Sequence, residues 1–203
     1  MIPFPTFSYE TPLWQQGLTR IIGMDEVGRG AFAGPVVSAG VILPPDFPLD
    51  IGIHDSKLLK KDKREYLAEI IKEKALAFTI QEVSVETINQ MGIGKAAQQS
   101  FFQCILALPL WDHILMDAFY VDQIDKTKQT PIIKGDQKSL SIAAASIIAK
   151  VYRDNLMKQL AKEFAEYGFE THVGYGTKSH REAIKKYGIS TVHRLAFCSK
   201  TIA

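Results

Sequence analysis

Cysteine is scarce: the 203 residues contain only Cys104 and Cys198. They form no CxxC pair and no framework of several pairs, which excludes a disulfide-stapled scaffold and a cysteine-built zinc site. Cys104 lies in an apolar helical stretch and reads as a core thiol. Both thiols are expected reduced, in a cytoplasmic protein. No apolar run reaches the roughly 18 residues of a membrane span. The N-terminus lacks a basic segment followed by an apolar one, so no export signal and no membrane partner are expected. An excess of one charge is also missing: the formal net charge is +2. There is no GxxxxGK[ST] phosphate loop, and Gly28, Gly30 and Gly34 are spaced wrongly for a GxGxxG dinucleotide loop. HExxH is absent, and His172, His180 and His193 are scattered, reading as surface or packing residues. Internal repeats and low-complexity tracts are absent too.

What is present is a 46% hydrophobic chain, enough for a sizeable core in one large domain. Its charges are unevenly distributed. Residues 1–55 carry two basic and six acidic residues, net −4, whereas residues 134–203 carry twelve basic and six acidic, net +6. That split is compatible with a polyanion held beside an acidic metal centre. Solvated helix faces would give the same count.

The run Ile21-Ile22-Gly23-Met24-Asp25-Glu26-Val27-Gly28-Arg29-Gly30 is the most informative segment. A short apolar strand ends in two carboxylates, followed at once by a glycine-arginine-glycine loop. Glycine lets backbone approach a ligand closely. Arginine offers a donor fork that matches phosphate. Asp and Glu are the hard oxygen ligands that Mg²⁺ takes.

Residues 1–19, with three prolines, read as an irregular arm, and 20–203 as the domain. Strands are expected over 20–24, 35–43, 76–83 and 113–117, with a short extended piece at 131–134. Amphipathic helices are expected at 59–75, with Asp62 and Glu65 as a capping box, and at 93–108, stopped by Pro109. A long helix fits 138–166, with Ile142, Ala145, Ser146, Ala149, Leu156, Leu160 and Phe164 on one face. Its run Ala143-Ala144-Ala145-Ser146 is small enough for something to pack very close. Residues 122–130 and 167–178 read as loops, and 179–187 as a short basic helix. This alternation argues an α/β domain with a mixed sheet.

Asp25 and Glu26 end the first strand, Asp117 ends the strand 113–117, and Asp136 precedes the long helix. Sites in α/β sheets form beyond the strand ends, so these acids converge if their strands are neighbours. Four carboxylates suit two metal ions about 4 Å apart. Taken singly, Asp136 also reads as a helix-start acid and Asp117 as a turn residue.

Several blocks together resemble the bacterial-type ribonuclease HII family. They are Asp25-Glu26-Val27-Gly28-Arg29-Gly30 with Ala33-Gly34-Pro35-Val36, Asp55-Ser56-Lys57-Leu58-Leu59, Lys134-Gly135-Asp136-Gln137-Lys138-Ser139, the run 143–154, Gly174-Tyr175-Gly176-Thr177-Lys178 and His193-Arg194. They occur in the family's order over roughly residues 20–198. The resemblance implies a ribonuclease H-like fold: a central mixed β-sheet flanked by helices, with a helical C-terminal part from about 167. It implies hydrolysis of the RNA strand of RNA–DNA hybrids. It also implies nicking of duplex DNA on the 5′ side of embedded ribonucleotides, leaving 3′-hydroxyl and 5′-phosphate ends, in primer removal and ribonucleotide excision repair. Asp25, Glu26, Asp117 and Asp136 match the family's catalytic acids, which hold Mg²⁺ or Mn²⁺. Gly28, Arg29 and Gly30 match the loop that senses the ribose 2′-hydroxyl, and Tyr175 matches the aromatic that packs on the sugar. Lys57, Lys138 and Lys178 are candidate phosphate contacts, with ordinary surface lysines as the alternative. A monomer acting on nucleic acid is expected.

The sequence departs from the family where Ala118 stands in place of the usual glycine after Asp117, with Asp122 as a second candidate acid nearby. The chain stops soon after His193-Arg194, so neither the long C-terminal extension of some relatives nor a clamp-binding tail is expected. The competing readings are a related-fold metal nuclease acting on damaged DNA and a catalytically silent hybrid-binding module.

Overall fold

The computed structural model describes residues 4–108 and 110–202; Pro109, expected to stop a helix, and residues 1–3 of the arm lie outside them. Five strands form one mixed sheet in the order β3-β2-β1-β4-β5. Strands β1 (Ile21–Val27) and β2 (Val36–Ile42) pair antiparallel, and β3 (Ala77–Val83) pairs antiparallel with β2. Strand β4 (His113–Asp117) runs parallel to β1, and β5 (Gln129–Ile132) runs parallel to β4. Every residue of β2 is buried, as its unbroken β-branched and small-residue run requires of a strand covered on both faces.

The helices are α1 (Glu10–Gln15), α2 (Lys61–Lys74), α3 (Val85–Met91), α4 (Ile93–Ala107), α5 (Leu140–Glu163), α6 (Phe169–His172), α7 (Lys178–Tyr187) and α8 (Leu195–Ile202). One face of the sheet packs against α5 and α2 through Val37, Ala39, Leu67, Ile71, Ala144 and Ile148. The other packs against α4 through Ile22, Met24, Phe101, Cys104 and Ile105. Cys104 is a core thiol, and burial pushes it up to about 12. None of the described helices is long and apolar enough to cross a membrane.

Helix α5 departs from a simple amphipathic pattern. Residues 140–149 are buried on all sides, since this half is wedged between the sheet and α2. What packs close to its small residues is β1. A Cβ on Gly23 would lie 2.1 Å from the Ser141 carbonyl carbon, so only glycine admits this approach.

The arm is not irregular throughout, because residues 10–15 are helical. The fully buried Glu10 carboxylate accepts hydrogen bonds from the Ser139 hydroxyl (2.6 Å) and the Ser141 N–H (3.0 Å). Ser139 also caps α5 by accepting the Ile142 N–H (3.3 Å). The arm therefore docks on the start of α5, a contact across about 130 residues that no local pattern announces. The expected Asp62/Glu65 capping box does not form: the N-cap of α2 is Lys60, without a side-chain cap, and Glu65 pairs with Lys61 and Lys158 instead. Within the expected loop 122–130, Asp125 caps a single turn at 126–128 and β5 begins at Gln129. The loop 167–178 contains the one-turn α6.

Candidate active site

The parallel register of β1 and β4 sets Met24 opposite Met116, so Asp25 and Asp117 emerge side by side at the same sheet edge. Asp117 accepts the Gly135 N–H (2.8 Å), tying the β4 tip to the helical turn that carries Asp136. A Cβ on Gly135 would meet Ile142 at 2.6 Å, so glycine lets this turn press against α5. The β1–β4 pairing and the Asp117–Gly135 hydrogen bond thus bring Asp25, Glu26, Asp117 and Asp136 together. Asp122 is exposed and faces a different cavity beside Lys95 and Gln98, so Asp117 is the acid that joins the cluster.

The electrostatics register that convergence. Asp25 is 7% exposed. Burial, then the charges of Glu26, Asp117 and Asp136, hold its carboxyl well above the usual carboxylate range, against a hydrogen bond from Ser146. Burial pushes Glu26 up to about 7, with Arg29 opposing and Asp117 reinforcing. Asp136 is raised by burial, Asp55 and Asp117, with Lys57 opposing. Two cations stand near: Arg29 Nη1 lies 3.6 Å from Glu26, and Lys57 Nζ lies 4.0 Å from Asp136. Among the described residues, no three His, Cys, Asp or Glu side chains form a preformed cage for one ion. Four mutually repelling carboxylates nonetheless fit divalent cations by donor chemistry, because hard cations take oxygen ligands and would relieve the repulsion.

A cavity of about 280 Å³ opens beside the acids, lined by Asp25, Glu26, Ser56, Lys57, Lys150 and Tyr175. Of the candidate lysines, Lys57 alone lines it. Lys138 has an exposed side chain. Lys178 is exposed at the start of α7 and faces Glu182 at 3.9 Å, by another cavity.

The Gly28-Arg29-Gly30 loop and Tyr175 border this cleft. Gly28 has φ +88°, and a Cβ there would lie 2.1 Å from Arg153 Nε, so both conformation and space require glycine. Gly30 differs: nothing lies within 4 Å of where its Cβ would be. Residue 31 forms a β-bridge with Tyr175, and the N–H groups of Phe32 and Ala33 donate to the Gly174 carbonyl (2.8 and 3.1 Å). The guanidinium of Arg153 sits 5.6 Å from the Tyr175 ring centre.

Sequence reading missed two buried arginines beneath this surface. Arg153 donates to the carbonyls of Pro35 (3.0 Å), Val173 (2.9 Å) and Ala33 (3.0 Å). Arg194 donates to those of Gly34 (2.9 Å) and Arg29 (3.0 Å). Ser146, Lys150 and Arg153 recur at i, i+4 and i+7 along α5. That helical spacing of polar residues in an apolar run was the signal that could have found Arg153. Arg194 left no such trace. The departure at Ala118 also has a physical reading. Its φ is +68°, the left-handed region that favours glycine.

A family model described as Ribonuclease HII matches residues 22–200. The Ribonuclease HII of Bacillus cytotoxicus is 48% identical over 190 residues, covering 93% of this chain and 72% of the relative. Among solved structures, the chain is similar to one described as the PCNA:RNase HII complex from Archaeoglobus fulgidus, with TM-score 0.77 and 28% identity, covering 90% of this chain and 95% of that one. The ribonuclease H2 from Pyrococcus horikoshii OT3 has the same fold, with TM-score 0.74 and 24% identity over 90% of this chain and 96% of that one.

Proposed function

Because the chain belongs to the ribonuclease HII family and is a ribonuclease H hydrolase, we propose that it is a metal-dependent endonuclease that recognises single ribonucleotides in duplex DNA. It nicks on their 5′ side, leaving 3′-hydroxyl and 5′-phosphate ends, and it also hydrolyses the RNA strand of RNA–DNA hybrids. Primer removal and ribonucleotide excision repair are the roles such chemistry serves. Two free, buried thiols suit the reducing cytoplasm in which we place it. The single domain-sized core suits a monomer.

The observation that carries this reading is the acid cluster at the β1–β4 edge, in a cavity lined by Tyr175, to which the end of the glycine loop is bridged through Ala31. Asp25, Glu26, Asp117 and Asp136 would hold Mg²⁺ or Mn²⁺. Bound there, the ions would supply an activated water and charge neutralisation at the leaving oxygen. The 2′-hydroxyl is the local mark that distinguishes RNA from DNA at one nucleotide. Open space at Gly30 lets loop backbone approach that hydroxyl, and the half-buried Tyr175 ring offers a face to the sugar. Lys57 would meet the phosphate nearest the acids, with Lys138 and Lys178 on flanking phosphates.

The test uses a labelled DNA duplex containing one ribonucleotide, beside all-DNA and long-hybrid duplexes, with Mg²⁺, Mn²⁺ or EDTA. A metal-dependent nick 5′ of the ribonucleotide, with all-DNA intact, is the expected result. Cutting of all-DNA would move the reading to the damaged-DNA nuclease. Absence of cutting, with hybrid binding unchanged in Asp25→Asn, would move it to the binding module.

A further inference from the structure

The three scattered histidines meet. His180 on α7 and His193 before α8 are 0% and 1% exposed, and their Nε2 atoms lie 3.1 Å apart. The surrounding bonds settle the tautomers. His193 Nδ1 lies 3.0 Å from the Ser190 N–H, which can only donate, and 2.9 Å from the Ser190 hydroxyl, which can turn to donate too, so the proton is assigned to Nε2. His180 Nδ1 faces the Tyr175 carbonyl at 3.0 Å; a carbonyl only accepts, so His180 is protonated at Nδ1 and leaves Nε2 as acceptor. A directed chain results: Ser190 N–H to His193, His193 Nε2–H to His180, and His180 Nδ1–H to the backbone of Tyr175.

We propose that this imidazole pair is a positioning device for Tyr175 and sets the width of the ribose-recognition cleft. The inference rests on the proposed ribonucleotide-specific activity. Its geometric basis is that one dipeptide is bonded to both the Tyr175 segment and the glycine-arginine-glycine loop. His193 reaches Tyr175 through His180, while the next residue, Arg194, donates to the Arg29 carbonyl of the glycine-arginine-glycine loop (3.0 Å). Residue 193 also forms a β-bridge with Ala33 behind that loop. Asn89 fixes the dipeptide from α3: its amide N–H donates to the His193 carbonyl (3.2 Å) and its oxygen accepts the Leu195 N–H (2.9 Å). Tyr175 and the loop are therefore referenced to a common anchor instead of to each other alone.

The chain needs both rings neutral, because a second proton would set two donors face to face. The packed surroundings keep them so. His172 stacks on His180 with ring centres 4.5 Å apart. Tyr167 and Phe169 pack against His193 at 4.6 and 5.8 Å. The charged neighbour in sequence, Arg194, adds no acid to favour the imidazolium. Burial, with His172 against His180 and His180 against His193, brings both rings down to about 4.

The test is a double-mutant cycle on the full chain with saturating Mg²⁺, read as KM and kcat on the single-ribonucleotide duplex, with melting temperature in parallel. His193→Asn keeps an acceptor for Ser190 but is too short to reach His180. His193→Gln restores a donor at that reach. We expect His193→Asn to raise KM about five- to tenfold with kcat little changed. His193→Gln should recover most of that loss. In a Tyr175→Ala background the same His193→Asn change should alter KM less than about twofold, because the ring being positioned is gone. Equal losses in both backgrounds would reduce the pair to a packing element and overturn the proposal, as would an unchanged KM. If His193→Asn does not fold, His180→Asn, which keeps a donor for Tyr175 and loses the link to His193, carries the same cycle. A wild-type protein that leaves the single-ribonucleotide duplex uncut would instead overturn the proposed function, and this inference with it.

Discussion

Replacing Glu26 by Gln is expected to stabilise the metal-free protein while disabling the enzyme. The isolated glutamate titrates near 4.5, and burial pushes Glu26 up to about 7. A carboxyl raised in the folded state contributes stability in its protonated form. That contribution is full below 4.5 and is lost as pH rises through about 7. At 1.36 kcal/mol per pH unit, keeping Glu26 ionised above pH 8 costs the fold about 3 kcal/mol, an upper figure. That cost is already net of the opposing pull of Arg29, a half-exposed pairing, so Gln removes it with no separate loss for the broken contact. The net gain is about 1–3 kcal/mol, or roughly 3–9 °C in melting temperature for a domain of this size. The assay is thermal unfolding in EDTA from pH 4.5 to 8.5, with turnover measured in Mg²⁺. Turnover should fall about a hundredfold or more. The stability gain should be present at pH 8.5, shrink toward pH 4.5, and diminish when metal is added to both proteins. A variant no more stable than wild type at pH 8.5 in EDTA, or equally more stable at both ends, would refute the repulsive acid cluster.

Gly23→Ala places a methyl against Ser141 backbone, which no rotamer change relieves. It should cost more than about 3 kcal/mol, roughly 6–12 °C in melting temperature, and a cost below about 1 kcal/mol would mean β1 and α5 do not approach so closely. Ala118→Gly relieves a left-handed residue at φ +68°. A gain of about 1–3 °C on heating is expected once glycine's greater unfolded-state freedom is subtracted; a loss would contradict that backbone conformation. His180 and His193, both brought down to about 4 by burial, contribute stability that is full above the ordinary histidine value of 6.5 and lost as pH falls through about 4. This runs opposite to Glu26. In the Glu26→Gln background, where Asp25 and Asp136 still pull the other way, the melting-temperature difference between the His193 protein and its His193→Asn variant should shift against the His193 protein between pH 6.5 and 4; a difference constant across that window would show that these rings do not titrate there.

Much of the framework was legible because it is written in local patterns. The β-branched run at 36–42 became the fully buried β2, and the apolar segment before Asp25-Glu26 became the strand that delivers them. The long helix, the basic helix at 178–187 and the core position of Cys104 follow from the same periodicities. The short α3 and α8 escaped, since seven or eight residues span too few turns to establish a period. The helical piece of the arm escaped because its signal is Glu10, a carboxylate whose partners are 129 and 131 residues away.

By itself the sequence determined the donor chemistry of this protein: four carboxylates, a glycine-arginine-glycine turn, and an apolar scaffold ending at the acids. Those are properties of residue type and near-neighbour spacing. Only the tertiary structure decided that Asp25 and Asp117 are neighbours, because a parallel strand pairing joins segments about 90 residues apart and leaves no local trace in either. The same holds for Arg153 and Arg194, whose partners are backbone carbonyls, and every residue carries a carbonyl. It holds most clearly for His180 and His193. Spaced 13 residues apart on either side of a turn, they look unrelated along the chain, and the packing of α7 against the segment before α8 makes them one hydrogen-bonded unit.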